Sequence, residues 1–161
     1  MSLPRPLYRT RQFLGALRPA VAEAELAETE RFLGRQLFAL FRSMTLLDQR
    51  HSMDVYQLLR DQRSTDRDIL SAALLHDVGK GRIRLWERIA YVLADTVARP
   101  LLPRFSGGLA RLRDHATLGA ERLAAAGASP ELVRLVAEHE RRRIPSSDLP
   151  LHLLRAADDA C

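Results

Sequence analysis

Five histidines and a few aspartates carry most of the chemistry that this sequence could perform. His51 precedes Val55, Leu58 and Leu59 at offsets of four, seven and eight, and His139 follows Leu132, Leu135 and Val136 at seven, four and three. His76 extends the series Ile69, Ala72, Ala73; His115 stands in phase with Leu112, Gly119 and Leu123; Asp158 continues Leu151 and Leu154. These are helical spacings, so each polar residue lies on an apolar stripe that faces a core. A lone histidine in such a position is ordinarily a hydrogen-bonded core residue. Four of them stacked with Asp77 and Asp158 are harder to satisfy, because each unpaired buried polar group costs roughly 1–3 kcal/mol and a buried carboxylate more. A divalent metal removes the conflict, since neutral imidazoles and carboxylates are ligands suited to Zn, Mn, Fe, Co or Ni.

The elements that must position these residues are helices. Leu contributes 29 residues and Ala 22, against 17 for Val, Ile and Thr together, and that balance favours helix over strand. We expect an all-α fold, a single compact bundle with an N-terminal accessory helix. The periodicity predicts helices over about 21–44, 49–62, 66–78, 83–98, 109–126, 130–142 and 149–160, with a loop over 100–108. Asp66 and Ser129 are expected as N-caps, with Pro130 in a first turn. The helix over 66–78 is apolar nearly all round and is expected at the centre of the domain. Residues 1–44 are expected to pack on the core as an accessory segment, and 45–161 to form the domain that bears the site.

Composition excludes several classes. The 161 residues suit one soluble domain, and Cys161, the one cysteine, leaves neither a disulfide framework nor a cysteine-based zinc site. No apolar run approaches the length of a membrane span, and the opening MSLPRPLYRTRQFLGALRP lacks the apolar core of a signal peptide, so a cytoplasmic protein without membrane partners is expected. The net charge is +5, and arginine supplies 24 of the 25 basic residues. Such a surface attracts phosphates of any kind. A specific nucleic-acid binder is the disfavoured account, because no helix-turn-helix or base-stacking signature accompanies the charge.

The order of these residues, a lone His, a His-Asp pair closing an apolar helix and a distant Asp, resembles the HD superfamily of metal-dependent phosphohydrolases. RHSMDVYQLL is similar to the helix bearing that family's first His, LLHDVGKG to its central motif, and LLRAADDA to the helix bearing its last Asp. The resemblance spans about residues 45–160 and implies His51, His76, Asp77 and Asp158 as metal ligands, with Asp159 the less suitable neighbour. DHATLGAERLAAAG and LVRLVAEHE resemble segments that supply further ligands in binuclear HD enzymes, which implies His115 and His139, two metal ions, and Asp77 as the catalytic bridge between them. Glu138 stands where HD-GYP phosphodiesterases have a second His, and no glycine-tyrosine-proline signature follows, so cyclic di-GMP is not expected. The Glu-Asp pair of (p)ppGpp hydrolases is also missing.

The implied activity is metal-assisted hydrolysis of a phosphate ester or anhydride in a small phosphorylated compound, a nucleotide or dinucleoside polyphosphate being favoured. A regulatory HD module that binds metal and nucleotide with little turnover is the rival. Lys80, the one lysine, stands three residues after the His-Asp pair and is expected to contact substrate phosphate; a cation favoured by the helix end is its plainer account. Arg82, Arg84, Arg111, Arg113, Arg122 and Arg141 to Arg143 read as solvated residues able to screen polyphosphate. Trp86 and Tyr91 read as core, and His152 as structural or surface.

Overall fold

The segment RDILSAALL forms a helix that Asp66 caps: its side chain accepts the backbone N–H groups of Asp68 and Ile69, at 2.8 and 3.1 Å, two donors that the first turn leaves unpaired. In a computed structural model that describes residues 20–81 and 108–161, the chain forms seven helices and no strands among the described residues. They are α1 (Glu23–Leu33), α2 (Arg35–Ser43), α3 (Leu46–Asp61), α4 (Arg67–Leu75), α5 (Gly108–Ala125), α6 (Pro130–Glu138) and α7 (Leu149–Ala160). Every residue from Ile69 to Leu75 is buried, because α4 packs against α2, α3, α6 and α7 at once. It is the central helix of an all-α bundle.

Three of the neighbours of α4 are started by side-chain caps of the same kind. Thr45 accepts the Asp48 N–H at the head of α3, Ser129 that of Leu132 at α6, and Asp148 that of Leu151 at α7. Ser129 also donates to Asp68 at 2.6 Å, joining the start of α6 to that of α4. The core then runs through Phe41, Val55, Leu59, Leu74, Leu123, Leu135 and Leu154, all without measurable exposure.

Three expectations need correction. The single helix over 21–44 is two, because Gly34 adopts φ 76° and breaks the ladder between α1 and α2; glycine enters that left-handed region without the steric cost a side chain would bring. Leu26, Leu33 and Phe41 nevertheless join the same core. The helix over 66–78 ends at Leu75 and that over 130–142 at Glu138, leaving His76 and His139 as C-cap residues rather than interior ones. The expected helix over 83–98, the expected loop over 100–108 up to residue 107, and the residues Arg82, Arg84, Trp86 and Tyr91 lie outside the described residues, while Gly108 already opens α5. Among the described residues no helix is long and apolar enough to cross a membrane.

Candidate metal centre

Three of the histidines are oriented by one device. The Nδ1 atom of His76 lies 3.0 Å from the Ala73 carbonyl, that of His115 lies 2.7 Å from Leu112, and that of His139 lies 2.7 Å from Val136. Each is an i to i−3 contact at a helix turn or end. A carbonyl only accepts, so Nδ1 must carry the proton and donate it, which leaves Nε2 as the ring atom that faces the interior.

The Nε2 atoms converge on two carboxylates. His76 Nε2 lies 3.6 Å from Asp77 Oδ1 and 3.5 Å from Asp158 Oδ1, and His115 Nε2 lies 3.6 Å from the same Asp77 oxygen. His51, a quarter exposed like Asp158, reaches Asp158 Oδ1 with its own Nε2 at 2.9 Å. His115 and His139 bring their Nε2 atoms to 3.3 Å. Two groups of donor atoms result, His51 with His76 and Asp77, and Asp77 with His115 and His139, each within 4.8 Å internally. Asp77 is common to both.

These residues fit a divalent cation for a reason internal to the geometry. The buried Nε2 of His76 has no hydrogen-bond partner among the described residues, and His115 and His139 turn two nitrogens with committed Nδ1 hydrogens toward each other. Lone pairs facing lone pairs or carboxylate oxygens are unfavourable without a positive charge between them. Nitrogen and carboxylate donors, with ring orientation fixed by backbone acceptors, form the donor set that transition metals take.

The electrostatics of the metal-free protein agree. Burial lowers the pKa of His76, but the Asp77 and then the Asp158 carboxylates outweigh it and push the group up to about 9. Burial opposes ionisation of Asp77 too, yet His76, Lys80 and His115 hold it well below the usual carboxylate range. His139 is driven down to about 3, by burial first and by His76 and His115 next. The two carboxylates thus favour a positive charge at the His76 ring.

Because the folded pKa of His76 is raised from 6.5, its contribution is complete below pH 6.5 and is lost as pH climbs toward 9. Metal-free protein is expected to lose on the order of 3 kcal/mol over that interval in urea denaturation, at about 1.4 kcal/mol per unit. A stability that stays flat from pH 6.5 to 9 would contradict this.

Packing brings the two donor groups together. Gly79 lies so close to α5 that a Cβ there would stand 1.9 Å from the His115 carbonyl oxygen and 2.6 Å from the Gly119 nitrogen. Arg122 adds a second tie, its Nη1 donating to the Val78 carbonyl at 2.9 Å. That arginine, exposed as expected, is therefore also an anchor of the His-Asp turn. Lys80 donates its Nζ to Asp77 Oδ2 at 2.6 Å, so it engages the carboxylate oxygen that faces away from the histidines. Asp159 turns outward to Arg155 at 3.4 Å, and exposed His152 lies 3.1 Å from the Pro145 carbonyl. Glu140, which sequence reasoning passed over, brings Oε1 within 3.7 Å of His115 Nε2.

The chain belongs to the HD domain family, whose model matches residues 49–160. That interval contains every donor named above and excludes α1 and α2. The family groups metal-dependent phosphohydrolases, and the His and Asp groups here could hold a metal. Searches of curated proteins and of solved structures return no significant match.

Proposed function

We propose that this protein is a metal-dependent phosphohydrolase that binds two divalent transition ions and cleaves an ester or anhydride bond in a small phosphorylated compound, a nucleotide or dinucleoside polyphosphate. The observation that carries this reading is the sharing of Asp77 by two donor triads. His51, His76, Asp77 and Asp158 would hold one ion; Asp77, His115 and His139 would hold the other. Fe, Mn, Zn, Co and Ni all suit such donors. When bound, the pair supplies Lewis-acid polarisation of a phosphoryl oxygen and a water of lowered pKa.

The remaining tasks fall to the chain. The Ala73, Leu112 and Val136 carbonyls hold three rings in the tautomer that presents Nε2. His51 and Asp158, a quarter exposed while the other donors are buried, form the side on which substrate reaches the centre. Lys80, partly exposed and anchored on Asp77, offers an ammonium to a phosphate oxygen and steadies the bridging carboxylate. Residues 45–161 act as the catalytic unit in this reading, with residues 1–44 as an accessory layer.

The test is a hydrolysis screen of nucleotides, dinucleoside polyphosphates and simple phosphate esters with protein reconstituted in turn with Mn, Fe, Co, Ni, Zn and Mg. Turnover of at least one compound, dependent on metal, is expected. Protein that holds metal and binds nucleotide yet hydrolyses nothing would replace this reading with that of a regulatory module. Lys80→Ala is expected to lower kcat/KM by about 10- to 100-fold, the worth of one hydrogen bond to a charged group, with metal content unchanged. Loss of metal in that variant would reduce Lys80 to a support for Asp77.

A further inference from the structure

The two donor groups are unequal. The first combines His51 and His76 with a carboxylate of its own, Asp158, besides Asp77; the second has His115 and His139 but only the shared Asp77. From the position of Glu140 we infer that its carboxylate is the missing donor, a ligand of the second ion. This rests on the binuclear reading above.

Glu140 follows His139 directly in the turn after α6, and that turn is held in place. Arg155, one helical turn before Asp158 on α7, donates to the His139 carbonyl at 3.1 Å and lies 3.5 Å from that of Arg141. The Glu140 side chain is 53% exposed, and its Oε1 stands 3.7 Å from His115 Nε2. That nitrogen is already 3.3 Å from His139 Nε2 and 3.6 Å from Asp77 Oδ1. Since the Nδ1 hydrogen of His115 is given to Leu112, Nε2 is the ring atom left to ligate, and the Glu140 oxygen stands beside that atom, a short side-chain movement from the group formed by Asp77, His115 and His139.

Neighbouring Glu138 is directed elsewhere, to Arg134 at 3.7 Å and Arg141 at 3.2 Å. Charge favours the same assignment. Two divalent ions bring four positive charges against two from Asp77 and Asp158, and a third carboxylate reduces the excess in a buried site. With Glu140 each ion has two histidines, a carboxylate of its own and a share of Asp77. Its exposure also lets it swing aside, so the second ion is the one with the adjustable ligand.

Calorimetric titration of the metal-free full-length chain with Co(II) tests this, using wild type, Glu140→Gln and Glu138→Gln. Wild type is expected to take two equivalents. Glu140→Gln is expected to take the first with wild-type affinity and the second at least about 10-fold more weakly. Glu138→Gln removes the same charge two residues away and is expected to match wild type. Unchanged second-ion affinity in Glu140→Gln, weakening of both ions alike, or equal weakening in Glu138→Gln would each overturn the assignment of Glu140 while leaving the binuclear reading intact. Wild type saturating at one equivalent would overturn the binuclear reading itself, and this assignment with it.

Discussion

Asp77→Asn is expected to abolish phosphohydrolase activity and to weaken binding of both ions by more than about 100-fold, while the chain keeps its helical fold. Loss of a mere supporting group around a metal ligand already costs roughly 10- to 100-fold in affinity or activity, and Asp77 is the one side chain common to both donor groups. The amide keeps the shape of the carboxylate, so packing around this buried position is preserved. What disappears is the charge that raises His76 to about 9, and with it the anionic centre that, in the proposed reading, would draw two cations into this largely buried site. The variant separates the shared site from independent ones, since two unrelated sites would not both fail. Elemental analysis and calorimetry read the outcome, with far-UV circular dichroism as the check on folding. Two ions bound at near wild-type affinity, with turnover retained, would refute the bridging role.

Much of this centre was legible in the residues because helical spacing ties a sequence position to a face. The offsets of His51, His76, His115, His139 and Asp158 from neighbouring leucines, valines and alanines predict that they face inward. The structure gathers them at one place, with His76, His115 and His139 buried. The break at Gly34 was not legible, for glycine in an amphipathic run costs only about 1 kcal/mol relative to alanine and the apolar stripe continues across it. Helix ends were misjudged for a related reason. His76 and His139 each turn Nδ1 back to a carbonyl three residues earlier, and the apolar pattern that runs through these positions does not reveal where the backbone ladder stops. Glu140 escaped notice because a glutamate next to a run of three arginines reads as a solvated charge. Its approach to His115 depends on α5 and α6 packing side by side, a contact between residues 25 positions apart.

Gly79→Ala is expected to be the most damaging single-methyl change in the described part of the chain, destabilising the fold by about 3 kcal/mol or more and costing the second ion even in molecules that still fold. Its φ is not left-handed, so the glycine is required by proximity rather than by backbone conformation. A Cβ would stand 1.9 Å from the carbonyl oxygen of His115 and 2.8 Å from its carbonyl carbon. Those are backbone atoms of a helix and cannot rotate away. Overpacking of a side-chain contact costs typically 1–3 kcal/mol, and here the turn and α5 must separate as rigid pieces. That separation moves Asp77, two residues before Gly79, away from His115, so the donor group formed by Asp77, His115 and His139 opens first. Gly119, on the other side of the contact, supplies the graded comparison: a Cβ there meets a Val136 methyl at 3.2 Å and the Gly79 nitrogen at 3.3 Å. Small shifts accommodate such contacts, so Gly119→Ala is expected to cost about 1 kcal/mol and to keep both ions. Urea denaturation gives the order of stability and metal titration gives the stoichiometry. Gly79→Ala as stable as wild type, or no worse than Gly119→Ala, would show that the approach of the His-Asp turn to α5 is not what holds Asp77, His115 and His139 together.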